Sequence, residues 1–169
     1  MKMRLLGPAI LLAASLAVGV GYARAASAPK PVNAKKFDAL ANRALEAMKK
    51  RAAELKVTGV AVVSFAPGDS VQGWSSKMAV VGRMKDEPSE SKKGNNLLGI
   101  AYAKASEMAD TLENSGTAKR QPMTGEFGWQ GGVVARAKSG YVIVAFSGGK
   151  SEDDVEVSKS GLEVMKSGL

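Results

Sequence analysis

The sequence predicts an α+β domain in which a central antiparallel sheet is flanked by helices. Three segments carry apolar residues at helical spacing, and short runs rich in valine lie between them. Two of these runs, residues 133–137 and 141–147, are separated only by Lys138-Ser139-Gly140, which is the pattern of a β-hairpin. Hairpin strands pair antiparallel, and the apolar face of their sheet needs a helical layer to cover it.

The first residues predict a secretory signal peptide. Lys2 and Arg4 precede an apolar run over residues 5–20, and Ala23-Arg24-Ala25 is an A-x-A cleavage pattern. A single membrane anchor is the less favoured alternative, because a bilayer span takes about 20 apolar residues. We expect residues 1–25 to be removed, which would leave an exported protein, periplasmic or extracellular, that is not held in a membrane. Residues 26–169 then form a single domain that begins with a flexible linker over residues 26–33.

Charge and composition exclude several function classes. The net charge of +8 includes three basic residues of the signal peptide, so the remaining domain is only mildly basic, and we expect no nucleic-acid partner. The chain has no cysteine and no histidine. Disulfides, a thiolate nucleophile, cysteine-ligated zinc and a Ser-His-Asp triad are therefore excluded. Catalysis would have to rest on carboxylates, lysine, tyrosine or a cofactor, so a non-catalytic protein is the favoured interpretation.

The first half of the domain predicts a helix followed by strands. Asn33 is the expected N-cap of an amphipathic helix. Its apolar face is formed by Phe37, Leu40, Ala41, Ala44, Leu45, Met48, Ala52 and Leu55. A strand over residues 58–66 and a turn at Pro67-Gly68-Asp69 follow. Residues 71–74 and 78–84 predict further strands or one broken strand.

The second half predicts two more helices around the hairpin. Residues 85–96 are polar and lack periodicity, so we expect an exposed loop there, and a second loop over residues 115–128. The helix between them spans residues 97–114, with an apolar face of Leu97, Ala101, Ala105, Met108 and Leu112. The last helix opens at Ser151, where Ser151-x-x-Asp154 predicts a capping box. Its buried side comprises Val155, Leu162, Met165 and Leu169.

Three carboxylates recur along the middle helix. Glu107, Asp110 and Glu113 stand three residues apart, so they share a helix face and are candidates for holding a hard cation. A solvated acidic edge is the more ordinary interpretation, because carboxylates alone make a weak and unselective metal site.

The turn Ser147-Gly148-Gly149-Lys150 is the main candidate for a binding site. It joins the last strand to the last helix, and its two glycines expose backbone N–H groups beside the positive end of the helix dipole. Lys150 adds a full positive charge. These features suit a small carboxylate, whereas the alternative is a tight turn that uses glycine only for its dihedral angles.

The same segment carries a family resemblance. Gly131-Gly132-Val133-Val134 precedes the hairpin turn, Ser147-Gly148-Gly149 follows the second strand, and Asp154 stands seven residues before Gly161-Leu162. Arg83-Met84-Lys85-Asp86 and Lys104-Ala105 lie upstream in matching order. With this spacing the chain resembles the GlcG/HbpS-like family of glycolate-utilisation-protein-like and secreted haem-binding or haem-degrading proteins.

The resemblance implies a profilin-like fold, homo-oligomers and a small-ligand role, with haem or another small anionic ligand bound. It places the site at Arg83, Lys104, Gly131, Gly132, Ser147, Gly148, Gly149, Lys150 and Asp154. Because the chain has no histidine, haem iron would have a tyrosine, lysine or methionine as its axial ligand, or none. The axial candidates are Tyr102, Tyr141 and Met84.

Three hypotheses follow from the sequence. The first is an exported, non-catalytic protein that binds a small ligand, either haem or another anion. The second is an enzyme that acts on a small acid or in haem breakdown through a carboxylate or lysine. The third is a structural module that assembles into oligomers through a helix face and a sheet edge.

Overall fold

The computed structural model describes residues 34–169, which form three helices and six strands. The helices are α1 (Ala34–Glu54), α2 (Leu97–Thr111) and α3 (Ser151–Lys166). The strands are β1 (Gly59–Pro67), β2 (Ser75–Val81), β3 (Lys85–Asp86), β4 (Asn95–Asn96), β5 (Gly132–Ala137) and β6 (Gly140–Ser147). The predicted signal peptide, the linker and the Asn33 cap lie outside the described residues.

Four strands form the central sheet, in the order β2-β1-β6-β5, and every neighbouring pair is antiparallel. The long strands β1 and β6 occupy the centre, where Val63 pairs with Val144. β5 and β6 form the predicted hairpin, in which Val133 pairs with Val144. The predicted α+β class, with a central antiparallel sheet flanked by helices, is confirmed.

Helices cover both faces of the sheet. On one face α1 and α3 pack on one set of alternating β1 and β6 side chains, which includes the fully buried Phe65 and Phe146. On the other face α2 packs on the remaining set, which includes Val62 and Ile143. Because both sets are buried, β1 is a nearly continuous apolar run without polar alternation. Burial of each large apolar side chain contributes roughly 1.5–3 kcal/mol.

Two strand predictions need correction. Residues 71–74 are not a strand, because the pairing of β1 with β2 ends at Phe65 opposite Ser75 and offers them no partner. Residues 85–96 are not only a loop, because β3 and β4 pair at its two ends as a short antiparallel ribbon. This ribbon places Asp86 opposite Asn95 and leads directly into α2.

The bounds of α2 follow from its two caps. The side-chain oxygen of Asn96 accepts the Gly99 N–H at 3.0 Å and starts the helix. The helix ends at Thr111, three residues before the predicted end, because Leu112 adopts a left-handed backbone conformation with φ 55°. Leu112 is 37% exposed, so it does not belong to the buried face of α2 as predicted.

Within residues 34–169, no helix is both long and apolar enough to cross a lipid bilayer.

Candidate functional site

A lysine and an aspartate from different helices meet in the protein interior. The Nζ atom of Lys104, on α2, lies 2.8 Å from Oδ2 of Asp154, on α3. Nζ also donates to the carbonyl oxygen of Phe146 at 2.8 Å. The other carboxylate oxygen, Oδ1, accepts the Gly149 N–H at 2.8 Å. The two side chains are only 3% and 4% exposed, so this is a buried salt bridge with additional hydrogen bonds at both ends.

The fold brings Lys104 to this position through helical spacing. Lys104 lies on the buried face of α2, between Ile100 and Met108, and therefore points into the protein. Gly131 makes room for the ammonium group: its φ is +133°, and a Cβ atom at this position would overlap Nζ of Lys104. The Gly131 carbonyl oxygen accepts the Phe146 N–H at 3.0 Å and the Ser158 hydroxyl at 2.7 Å, which fixes this approach.

Burial works against the charge of both partners. It lowers the pKa of the Lys104 ammonium group below its ordinary value of 10.5, although the Asp154 carboxylate opposes the shift. Burial also raises the pKa of the Asp154 carboxyl above 3.8, against the Lys104 charge and the Gly149 N–H. Groups with such pKa shifts occur at functional sites and also in structural ion pairs, so the surroundings of the pair decide between the two.

The pair forms the floor of a cleft, which we call the cleft throughout. Its volume is about 180 Å³. It is lined by Asp86, Asn95, Leu97, Ile100, Lys104, Trp129, Gln130, Ser147, Gly148, Gly149, Ser151 and Asp154. An ammonium group has three N–H donors, and among the described residues only two of those of Lys104 have protein acceptors. The cleft is therefore rich in hydrogen-bond donors. They are the third N–H of Lys104, the side-chain amides of Asn95 and Gln130, and the hydroxyl of Ser151.

Arg83 does not line the cleft, but it hydrogen-bonds to residues that do. It donates to the carbonyl oxygens of Gly148 at 2.8 Å and Thr58 at 2.7 Å, and also to the Thr58 hydroxyl. Its Nε atom binds Asp86 at 2.8 Å, and Asn95 donates to the same carboxylate at 2.9 Å. These bonds, first from Asn95 and then from Arg83, lower the pKa of Asp86 below 3.8. The Asp86 charge at the rim is therefore compensated by protein groups.

The start of α3 differs from the prediction. Ser151 is the first helical residue, and the N-cap is Lys150, which makes no side-chain capping bond. The predicted capping box is wrong, because Asp154 turns inward to Lys104 and to the Gly149 N–H instead.

Two of the predicted site residues lie apart from the cleft. Lys150 is exposed and does not line it. Gly132 lies behind it, where its N–H donates to the Ser115 hydroxyl at 2.8 Å.

The three candidate metal ligands are not brought together. Glu107 is buried and accepts the Gly116 N–H at 2.8 Å, whereas Asp110 binds Arg120 at 2.8 Å and Glu113 is exposed. Among residues 34–169, no group of three acidic side chains is arranged to hold a metal ion.

Comparisons with known proteins give structural neighbours only. No protein-family model and no curated protein matches the chain. A solved Klebsiella pneumoniae protein, ORFY of the DUF336 type, is 20% identical with a TM-score of 0.48, over 78% of this chain and 90% of its own. A solved complex of PduOC with haem is 16% identical with a TM-score of 0.46, over 79% of this chain and 94% of its own. These values assign no ligand to this protein.

The cleft does not present a strong ligand for haem iron. The hydroxyl of Tyr102 is bonded to Ser76 at 3.1 Å, and the ring of Tyr141 lies beneath Arg136 at 4.8 Å. Met84 is 45% exposed and lines a neighbouring depression, so it is the one axial candidate near the cleft. The donors present fit a carboxylate better than a metal centre.

Several cleft residues were not predicted from the sequence. Asn95 and Gln130 stand in segments that have no periodicity, and Trp129 follows a glycine-rich loop. For Ile100 the sequence pattern indicates only a place in an amphipathic helix, not a place in a binding site. The tryptophan at the end of a loop was the available signal, because tryptophan combines a large apolar ring with a polar N–H and is enriched at interfaces.

Proposed function

We propose that this protein is an exported, non-catalytic binding protein for small carboxylates. The observation that carries the proposal is the Lys104–Asp154 pair, a buried salt bridge that forms the floor of a donor-rich cleft. Asp154 opposes the effect of burial on the Lys104 charge and orients the ammonium group, and the third N–H of this group donates to the carboxylate of the ligand. A hydrogen bond between two charged groups is about twice as strong as a neutral one.

The Gly148-Gly149 turn and the first turn of α3 form one wall of the same cleft, where backbone N–H groups and the helix dipole favour negative charge. Glu152 and Asp153 in this first turn weaken the attraction, so the ammonium group supplies most of it. Export is supported by the N-terminal sequence pattern, and sequencing of the secreted protein should find Ala26 as its first residue.

Calorimetric titration with propionate tests the proposal. We expect saturable binding, a loss of at least tenfold in affinity for Lys104→Met, and less than twofold for Lys150→Met. Lys150→Met is the matched control, because it removes an exposed lysine near the turn but outside the cleft. Equal losses in the two variants, or no binding to the wild type, would refute the proposal.

Amide chemical shifts provide a test that does not depend on the folding of a variant. Propionate should perturb the ¹⁵N–¹H signals of Gly131, Gly148, Gly149 and Ser151, while β2 stays unchanged. Haemin titration is the parallel arm. A saturable Soret shift that survives Lys104→Met would indicate that haem binds outside the cleft, whereas one that is lost in this variant would indicate that haem occupies the cleft.

A further inference from the structure

A second cavity opens beside the cleft, and we call it the annex. Its volume is about 340 Å³. Asn95, Ile100 and Trp129 line both cavities, so the two are adjacent along these side chains. The annex has no charged residue in its lining, in contrast to the cleft with Lys104 and Asp154 at its floor. The combined site is therefore charged at one end and uncharged at the other.

An aromatic pair forms one wall of the annex. The rings of Phe127 and Trp129 stack with their centroids 4.8 Å apart and their planes at 27°. These side chains are 47% and 49% exposed, so the stacked pair presents an apolar aromatic surface at the annex. Gly128 between them has a φ of +63°, and a Cβ atom there would lie 2.6 Å from the Pro122 ring. The compact left-handed turn at this glycine therefore supports the stacking of its two neighbours.

A salt-bridge clamp holds this wall in place. Arg120 binds both carboxylate oxygens of Glu126, at 2.7 and 2.8 Å, and the Met123 N–H donates to Glu126 at 2.8 Å. Arg120 also binds Asp110 at 2.8 Å, which ties the loop to α2. A two-point arginine–carboxylate bond fixes geometry as well as energy. The aromatic pair is thus preorganised, and a ligand does not need to order this loop on binding.

We propose that the ligand is an aromatic carboxylic acid with one or two rings. The inference rests on the proposed function, because the carboxylate is held at Lys104 in the cleft. The ring system occupies the annex and lies against Trp129, the one aromatic side chain that lines both cavities. A flat, uncharged body matches the aromatic wall, and a single carboxylate matches the single ammonium group at the floor.

Calorimetry with three acids of equal charge tests this inference. We expect wild-type protein to bind phenylacetate about tenfold more tightly than propionate, and more tightly than cyclohexylacetate, which has the same size but no aromatic ring. Trp129→Ala and Phe127→Ala should bring the ratio of phenylacetate to propionate affinity close to one. Met123→Ala should keep the wild-type ratio, because Met123 is 51% exposed in the same loop and lines neither cavity.

The outcomes separate the two proposals. If propionate binds at the cleft but phenylacetate binds no more tightly, the aromatic inference fails and the carboxylate proposal stands. If neither acid binds, both fail. If Phe127→Ala leaves the ratio unchanged but abolishes an oligomer that the wild type forms in sedimentation, the aromatic pair is a contact between copies of this chain, and the inference is overturned. Two independent variants guard against the misfolding of one.

Discussion

The Lys104–Asp154 pair shows how a single residue position can depend on several others. Lys104 needs the carboxylate, the Phe146 carbonyl and the missing side chain of Gly131 at once. Charges taken out of water cost several kcal/mol each unless they are paired and hydrogen-bonded. The stability of the pair therefore depends on all of these groups together. A substitution of any one of them should change the energetic contribution of the others.

Single and double substitutions of the pair should be far from additive. Lys104→Met or Asp154→Leu alone is expected to lower the free energy of unfolding by about 3–5 kcal/mol, because each leaves a buried polar partner unmatched. Lys104→Met combined with Asp154→Leu should cost less than the sum of the single changes. Urea unfolding of the four proteins measures this cycle. Additive losses would show that the two side chains do not interact.

Gly131 should tolerate no side chain. Gly131→Ala combines a φ of +133° with a Cβ atom that overlaps the ammonium group, so we expect a loss of at least about 2 kcal/mol in the free energy of unfolding. Gly73→Ala is the matched control, because no atom lies within 4 Å of the added Cβ. That variant should stay within about 0.5 kcal/mol of the wild type in the same urea experiment. Similar losses for both glycines would contradict this assignment.

At the level of elements, the loop over residues 115–131 is organised by charge rather than by a hydrophobic core. Arg120 and Glu126 close it on itself, and Asp110 fastens it to α2. The hydrogen bonds from Arg120 and then from the Met123 N–H lower the pKa of Glu126 from 4.5 to about 2. The ordered shape of this loop should consequently depend on pH.

The pH dependence has a defined sign. A carboxylate whose pKa is lower in the folded state stabilises the fold fully above its unfolded pKa, and this contribution disappears as the pH falls through the folded pKa. Between about pH 4.5 and 2 the wild type should lose more stability than Glu126→Gln. Thermal unfolding at several pH values measures the difference. Glu113→Gln, an exposed change outside the clamp, should follow the wild-type curve.

The sequence predicted elements well where apolar spacing determines the structure. The three helices and the β5–β6 hairpin came from periodicity and a glycine turn, and the burial of their apolar faces matches it. The spacing did not reveal that β2 begins only at Ser75, because that limit depends on where β1 stops pairing. The ribbon of β3 and β4 was also missed, because two-residue strands carry no pattern.

The candidate site was only partly accessible from the sequence. Family-like spacing named Lys104 and Asp154, although they stand 50 residues apart, and the structure brings them within 2.8 Å. It also named Lys150, which is exposed and does not line the cleft, because a charge near a turn does not reveal which surface it faces. Trp129, Asn95 and Gln130 reach the cleft through irregular segments, whose paths depend on tertiary contacts rather than on local propensity.

For the whole molecule, the order of the sheet predicts a gradient of local stability. β1 and β6 are paired on both sides and covered by helices on both faces, whereas β2 and β5 are edges. Amide hydrogen exchange should therefore be slowest in β1 and β6, faster in β2 and β5, and fastest in the β3–β4 ribbon. Exchange rates of β2 as slow as those of β1 would indicate that another chain covers this edge.

Assembly remains a prediction at the same scale. Within the described residues β2 has no strand partner on its outer side, whereas the outer N–H groups of Gly132 and Val134 on β5 donate to Ser115 and Asn114. An open edge such as that of β2 favours pairing between copies. Light scattering of the mature protein measures its mass directly. A monomer at all concentrations would remove the oligomeric module from consideration and would leave the cleft as the functional feature.

The salt bridge between α2 and α3 has a mechanical consequence. The two helices lie on opposite faces of the sheet, so the Lys104–Asp154 salt bridge links the two helical layers directly. Removal of this salt bridge should allow α2 to detach from the sheet as a unit while α1 and α3 stay packed. A carboxylate bound to Lys104 would strengthen this link. Occupancy of the cleft would then change the local stability of α2 on its face of the sheet.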